Sequence, residues 1–182
     1  MVIRSLRPIR HDEGYVLVWV IFYLMLLYLI VVSFANSSFL EGLMSVNHRQ
    51  AAQAYEMADG GVLVGVKEIY DILKRDYSNS QDIPAELVLS KQEWILHESG
   101  REMGFYLENP KCSGVDGDKC RFQLVSKGVS PPAQRTLAAE VQVEFLDIYK
   151  IEFDVGGGVV SVFDHREFIY PAEIISIRYK DK

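Results

Sequence analysis

The residue types most often used in catalysis and metal binding are few in this sequence and lie far apart. They are four scattered histidines and two cysteines: His11, His48, His97, His165, Cys112 and Cys120. A zinc site needs four ligands, and no second Cys or His pair stands near the two cysteines. Asp164 beside His165 would need a distant serine to form a catalytic triad, and a turn aspartate beside a surface histidine is the commoner arrangement. We expect no metal site and no catalytic chemistry from these residues.

Short motifs of known catalytic chemistries are also missing. Neither G-x-S-x-G nor H-E-x-x-H occurs in the sequence. The glycine run at residues 156–158 lacks the lysine and the following helix that a phosphate-binding P-loop requires. We therefore predict that the protein is not an enzyme and needs no cofactor.

The distribution of apolar residues along the sequence is more informative than that of the polar residues. Residues 15–35 contain no charged side chain and only one polar side chain, Ser33. A helix of about 20 residues, rising about 1.5 Å per residue, crosses the roughly 30 Å core of a bilayer. We predict a transmembrane helix at residues 15–35. A buried core helix would be shorter and broken by polar positions, and the apolar stretch of a secretory signal peptide is only about 7–15 residues long.

The charges that flank the apolar run predict its orientation. Arg4, Arg7 and Arg10 precede it, whereas the first basic residue after it is Arg49. Because basic flanks stay in the cytoplasm, the N-terminus is expected there and the rest of the chain outside. The net charge of −6 over 182 residues excludes a generally basic nucleic-acid-binding protein.

Export favours a disulfide between Cys112 and Cys120. An even pair of cysteines in an oxidising compartment is more often bridged than free. The ring would enclose only residues 113–119, so it would restrict the unfolded chain by about 2–3 kcal/mol and act locally, at the tip of a loop. Asp116 and Asp118 inside this loop lack the further ligands of a calcium-binding EF-hand, so we expect a solvated turn.

The helical pattern continues beyond residue 35. Apolar residues recur every three to four positions as far as Leu73, and the next proline is Pro84. We predict that residues 36–76 form an amphipathic continuation of the same helix, which ends near the turn-forming residues 76–80. Gly60 and Gly61 each weaken a helix by about 1 kcal/mol relative to alanine and mark a place where it can bend.

The residues after Pro84 show the pattern of β-strands. Within residues 136–145, Val141, Val143 and Phe145 alternate with polar residues, which is typical of a strand with one buried face. Further strands are predicted at residues 85–89, 104–107, 121–126, 149–155, 159–164 and 173–179, with a turn at residues 156–158. Residues 91–98 fit a helix or a strand equally well. The short spacing predicts an antiparallel sheet packed on the amphipathic helix, hence an α+β fold.

A charge-free helical half, an amphipathic half and a small β-rich domain together resemble the layout of type IV pilin-like proteins. The basic N-terminal segment ends at Gly14 directly before the apolar run, which is similar to the site where prepilin peptidase cuts such proteins. Residues 49–60, RQAAQAYEMADG, are similar to an alanine-rich segment of minor pilins of the PilX kind. Residues 126–128, SKG, and 135–141, RTLAAEV, resemble their S-x-G and R-T-x-x-A-x-V motifs.

The resemblance implies four parts: a leader peptide at residues 1–14, a transmembrane helix at 15–35, its amphipathic continuation at 36–76 and an extracytoplasmic β-rich head at 77–182. It implies cleavage between Gly14 and Tyr15 and methylation of the Tyr15 amine. The chain departs from the family at the fifth residue after the cut, where most pilins have glutamate and this chain has Trp19. Subunits of related systems that lack this glutamate are thought to lie at the filament tip, so the resemblance implies a minor, tip-located or initiating pilin.

The resemblance also implies the partners and the location. The partners are other major and minor pilins, the prepilin peptidase, the inner-membrane assembly platform and membrane lipid, with no nucleic acid. The protein is expected first as a single-pass protein of the cytoplasmic membrane and then in a pilus at the cell surface. Two alternatives stay open. One is a bitopic, membrane-anchored binding domain or envelope-complex subunit, in which Trp19 is an interfacial aromatic residue. The other is a secretion or competence pseudopilin.

Overall fold

The computed structural model describes residues 12–98, 101–153 and 159–180. Helix α1 (Asp12–Asp76) is followed by six strands: β1 (Glu93–Glu98), β2 (Arg101–Leu107), β3 (Lys111–Asp116), β4 (Lys119–Ser130), β5 (Ala133–Phe153) and β6 (Val159–Tyr179). The long N-terminal helix is confirmed, and it ends within the predicted region. His11, the three leader arginines and the turn predicted at residues 156–158 lie outside the described residues.

The chain divides into two compact units, Met1–Val46 and Asn47–Lys182. The described part of the first unit is the N-terminal part of α1. The second unit contains the remainder of α1 and all six strands.

All strand pairs in the second unit are antiparallel, which confirms the predicted α+β class with an antiparallel sheet. The order along the sheet is β1-β2-β4-β5-β6. Strand β3 lies on the same edge of β4 as β2, because β2 pairs with residues 126–129 of β4 and β3 with residues 119–123. Among the described residues, strands β1, β3 and β6 each pair with one strand only, so each has an outer edge.

Strands β5 and β6 are longer than predicted, with 21 residues each. The strand predicted at residues 136–145 and the described residues 149–153 of the strand predicted at 149–155 both belong to β5, while residues 154 and 155 lie outside the described residues. The strands predicted at 159–164 and 173–179 both belong to β6. The pairing of β4 with β5 ends at Glu144. Beyond it, residues 145–153 of β5 pair with residues 159–168 of β6, and we call this two-stranded part the ribbon.

Two local predictions are wrong. Residues 85–89 make only an isolated bridge between Glu86 and Lys111 and form no strand. The alternation that suggested a strand arises because Leu87 and Leu89 are buried there. The predicted loop at residues 113–119 is a hairpin of β3 and β4, with a tight turn in which Gly117 adopts a φ of 60°. Residues 91–98, which fitted either type, contain β1.

The core of the second unit lies between α1 and one face of the sheet. Fully buried residues of α1 are Ala54, Ala58, Val62, Ile69 and Leu73, and those of the sheet include Phe122, Leu124, Leu137, Val141 and Val143. The spacing of the α1 residues places them on one side of the helix. Burying a large aliphatic side chain contributes about 1.5–3 kcal/mol, so packing on the sheet stabilises α1 more than helix propensity does.

Candidate functional site

The predicted membrane span is an exposed helical surface. The helix contains an 18-residue apolar window of the length and composition needed to cross a membrane, and none of this window is buried. Every large apolar side chain from Tyr15 to Phe34 is exposed. A continuous apolar surface of this size marks an interaction with lipid or protein. The N-terminal helix is thus suited to anchor the chain in a membrane by a single span.

The predicted cleavage site lies in the first turns of α1. Gly14, Tyr15 and Trp19 are all helical. The Trp19 ring lies 6.0 Å from the Tyr15 ring, 5.9 Å from the Phe22 ring and 6.0 Å from the Tyr23 ring, measured between centroids. These are the separations of interacting aromatic pairs. Trp19 therefore belongs to an aromatic cluster, while cleavage at Gly14 and methylation of Tyr15 stay predictions.

One side of α1 stays apolar and exposed beyond residue 35. Phe39, Leu40, Leu43 and Met44 are 66%, 54%, 46% and 67% exposed. Their spacing places them on one side of the helix, with Glu41 on the other. This apolar side continues past the about 20 residues that a bilayer core requires.

The three segments that resemble pilin motifs meet in the second unit. In the β4–β5 pair, Ser126 is opposite Leu137 and Gly128 is opposite Arg135. Helix α1 crosses β4 at this point. A Cβ atom added to Gly128 would overlap the carbonyl oxygen of Ala54 and the amide nitrogen of Ala58. The backbones of α1 and β4 touch here, and only glycine fits at position 128.

Small residues allow this close approach along three helical turns. We call the contact the seam: Ala54, Ala58, Gly61 and Gly65 of α1 on Leu124, Ser126 and Gly128 of β4. A Cβ atom at Gly61 would overlap Ser126 Oγ and lie 2.9 Å from the Phe105 ring, and one at Gly65 would lie 2.6 Å from Leu124 Cδ2. The helix is continuous through Gly60 and Gly61. The close packing at Gly61 offsets its low helix propensity.

Polar side chains flank the seam. Ser130 Oγ donates a hydrogen bond to Gln53 Oε1 at 3.2 Å. The Tyr70 hydroxyl donates to the backbone oxygen of Phe168 at 3.3 Å, so α1 is also tied to β6. Ser126 Oγ, by contrast, is buried without a partner among the described residues.

Glu68 fixes the chain segment that leads into β1. Its Oε1 accepts hydrogen bonds from the backbone N–H of Ser90 at 2.5 Å and of Lys91 at 3.0 Å, and from the Ser90 hydroxyl at 2.5 Å. Hydrogen bonds to an ionised carboxylate are about twice as strong as neutral ones. The sequence analysis missed this role because the partners are 22 and 23 residues away and share no local pattern.

A groove lies between α1 and β1, on the side of the helix that carries Glu68. Its volume is about 380 Å³, and its lining is formed by Glu56, Met57, Gly60, Val64, Lys91, Glu93, Trp94 and Phe105. Trp94 stacks on Phe105 with centroids 6.1 Å apart, yet it remains 47% exposed. A Cβ atom added to Gly60 would meet nothing within 4 Å. The groove is therefore open above Gly60.

Cys112 and Cys120 are free thiols on adjacent strands. Cys112 is opposite Phe122 and Cys120 is opposite Val115, so the two cysteines are diagonal neighbours. Cys120 Sγ is buried and lies 3.4 Å from the backbone oxygen of Val143. Burial raises the pKa of the Cys120 thiol to about 12. The disulfide stays a prediction.

A buried arginine holds the base of the ribbon. Arg166 is 5% exposed, and its Nε and Nη2 donate to the Asp147 carboxylate at 2.5 and 2.9 Å. Its guanidinium lies 4.0 Å from the centre of the Phe145 ring, and its backbone N–H donates to the Ser78 oxygen at 2.5 Å. The hydrogen bonds from Arg166 hold the pKa of Asp147 below its usual range.

The histidines are not gathered into a site. His48 is an exposed residue of α1, His97 Nδ1 lies 3.5 Å from Glu102, and His165 Nδ1 lies 2.9 Å from Asp164. Lys150 and, less strongly, His165 hold the pKa of Asp164 below its usual range. Within the described residues, no group of three or more His, Cys, Asp or Glu side chains is placed to hold a metal ion. The absence of enzymatic activity stays a prediction.

Comparison of the chain with known protein families, characterised proteins and solved structures finds no match.

Proposed function

We propose that this protein is a minor type IV pilin that lies at the tip of a pilus or initiates its assembly, and that its role is structural. The observation that carries the proposal is the meeting of three motif-like segments at Gly128, where α1 packs on the sheet. Residues 49–60, 126–128 and 135–141 are distant in the sequence but share one contact. The three segments that resemble minor pilins therefore belong to one helix–sheet contact, which supports the proposal.

The proposed mechanism uses the apolar part of α1 twice. Lipid covers residues 15–35 while the protein is anchored in the cytoplasmic membrane, with its N-terminus inside and its head outside. After cleavage at Gly14, the helix leaves the bilayer and packs in a bundle with the helices of other pilins. Extraction exposes apolar surface at a cost of about 25 cal/mol per Å², so the bundle must cover the same surface again.

Trp19 accounts for the tip position in this proposal. A carboxylate in an apolar helix is costly unless it is paired, and in pilins the partner is held to be the N-terminal amine of a neighbouring subunit. With Trp19 at this position, the helix has no carboxylate to offer to a subunit placed above it. Trp19 instead lies beside the rings of Tyr15, Phe22 and Tyr23, so this part of the helix surface stays aromatic and uncharged.

The direct test is the intact mass of protein extracted from membranes of cells that contain prepilin peptidase. We expect a chain that begins at Tyr15, with one added methyl group. The variant Gly14→Val should retain residues 1–14. Gly42→Val is the matched control, because it lies in the same helix with nothing within 4 Å of an added Cβ atom, and it should be processed normally.

A genetic test addresses assembly. Deletion of the gene should lower the number of surface filaments, wild-type protein and the Gly42→Val variant should restore them, and the Gly14→Val variant should not. Unchanged filament numbers after deletion would show that the assembly role is wrong. A functional chain that still carries residues 1–14 would favour the alternative of a permanently anchored binding domain.

A further inference from the structure

Strands β1 and β6, at the two ends of the strand order, are each open to a further strand. Within the described residues, no strand pairs with the outer edge of β1 or of β6. Such an edge exposes unpaired N–H and C=O groups that favour pairing with another chain. Successive neighbours in the order β1-β2-β4-β5-β6 are antiparallel, so β1 and β6 run in the same direction. A second copy in the same orientation presents its β6 parallel to β1.

The apolar surfaces of these two edges lie on the same side of the sheet. On β6, Ile177 is opposite the buried Ala139 and Tyr179 is opposite the buried Leu137, so both face the side on which α1 packs. Ile177 is 42% exposed, and Tyr179 is 61% exposed although one side of its ring packs on Tyr55 of its own α1, with centroids 5.7 Å apart. On β1, Trp94 is opposite the buried Phe105 and lines the groove on that side.

The charges of β1 and of the last residues of β6 are opposite, although Glu173 lies further back on β6. Strand β1 carries Glu93 and Glu98 and no basic residue other than His97, whereas residues 175–180 carry Arg178 and Lys180 and no acid. Glu56 adds a second carboxylate to the groove, and Lys91 is its only basic residue. Complementary charge directs two surfaces together and fixes their register.

We infer that the heads of this protein associate through β1 of one copy and the end of β6 of a second copy. Tyr179 of the second copy fills the groove above Gly60, beside Trp94, and its Arg178 lies near Glu93. The contact joins two different surfaces, so it leaves β6 of the first copy and β1 of the second free and repeats into a row. The inference goes beyond the proposed function, because this contact between heads does not depend on cleavage at Gly14 or on the fate of the helix.

Photo-crosslinking in membranes tests the contact. Full-length Tyr179→benzoylphenylalanine protein is mixed with an equal amount of ¹⁵N-labelled wild-type chain and irradiated. We expect dimers in which the probe on one copy is bonded to residues 56–64 or 91–105 of the labelled copy. The Gly60→Leu substitution in the labelled copy should lower their yield by about tenfold, because its side chain occupies the groove. Gly42→Leu, also placed in open space, should leave the yield unchanged.

Charge exchange provides a second readout that does not depend on filling the groove. Glu93→Arg in the labelled copy should lower the cross-link yield, and Arg178→Glu in the copy that carries the probe should restore it. The inference is wrong if cross-links form only within one chain, or if they reach a second copy at residues outside the groove and β1. It is also wrong if Gly60→Leu, shown by amide hydrogen exchange to keep its sheet, leaves the yield unchanged.

Discussion

Gly60 and Gly61 are neighbours in α1 and face opposite surroundings. A Cβ atom at Gly61 would overlap Ser126 Oγ, whereas one at Gly60 would meet nothing within 4 Å. The difference follows from the helical repeat, because consecutive residues point about 100° apart around the axis. Gly61 belongs to the seam and Gly60 to the groove. The same residue type thus serves close packing at one position and leaves space at the next.

The comparison shows how to separate a structural glycine from one that keeps a surface open. In the seam, an added methyl group has to displace a backbone or a packed ring. In the groove, the same methyl group costs no contact and removes conformational freedom from the unfolded chain. The two regions should therefore respond to alanine with opposite signs. The stability tests below use the full chain in detergent, with amide hydrogen exchange of β4 as the measure of unfolding.

The largest effect is expected at the centre of the seam. Gly128→Val places a branched side chain against the α1 backbone at Ala54 and Ala58, so the free energy of unfolding should fall by more than about 3 kcal/mol. Gly114→Val is the control, since an added Cβ atom there meets nothing within 4 Å. A loss below about 0.5 kcal/mol for Gly128→Val, within the usual range of surface substitutions, would contradict the close contact.

Gly61→Ala should lower the free energy of unfolding by about 1–3 kcal/mol, because its methyl group overlaps Ser126 Oγ and the Phe105 ring. The double variant Gly61→Ala with Ser126→Ala should recover part of this loss. Removing the Ser126 hydroxyl opens space and breaks no hydrogen bond among the described residues. Equal losses for the single and the double variant would show that the hydroxyl is not the obstacle.

The Arg166–Asp147 ion pair of the ribbon is a polar contact, whereas the seam is apolar. Asp147→Asn should lower the free energy of unfolding at pH 7 by about 1–2 kcal/mol, less than for a fully buried pair because Asp147 is 25% exposed. Since Arg166 lowers the pKa of Asp147 in the folded state, its stabilisation is complete above the unfolded pKa of about 3.9. It is lost as the pH falls through the lower folded pKa.

The pH dependence of stability distinguishes the contribution of the Arg166–Asp147 pair from that of the seam. The stability of the wild-type protein should fall more steeply than that of Asp147→Asn as the pH drops below about 4, so the two curves converge. The loss caused by Gly61→Ala should be the same at every pH, since no titrating group takes part. Parallel curves for wild type and Asp147→Asn would mean that the ion pair contributes nothing to stability.

The smallest expected effect has the opposite sign. Gly60→Ala should raise the free energy of unfolding by about 0.5–1 kcal/mol, the difference between alanine and glycine in a helix interior. The measurement is the exchange of the same β4 amides. In a chain that is not associated with a second copy, destabilisation by this substitution would mean that the space above Gly60 is filled from within the chain or that the helix backbone there is strained.

The helix and the sheet class could be predicted because their signals are local. The charge-free run at residues 15–35 and the alternation at residues 141–145 each depend on neighbouring positions only. The full length of β5 could not be predicted in this way. Asp147 interrupts the apolar alternation and suggests a break, but in the fold it is paired with Arg166 from the opposite strand.

The candidate sites depend on contacts between distant residues, so sequence alone predicted them poorly. Nothing in the spacing of the motif-like segments predicted that Gly128 lies against Ala54 and Ala58. Strand β3 was taken for a loop because Gly114, Asp116 and Gly117 are typical turn residues. The groove was missed altogether, since its lining comes from α1, β1 and β2.

The resistance of the ribbon to force depends on the direction of the force. Residues 145–153 and 159–168 form an antiparallel ladder with one register shift, and the Arg166–Asp147 pair is its third rung. A pull that separates the two strands at the Phe145–Phe168 end would break the rungs one after another and would soon reach Arg166. A pull in opposite directions along the two strands would load every rung at once. The second unit should therefore resist a force along these two strands better than a force across them.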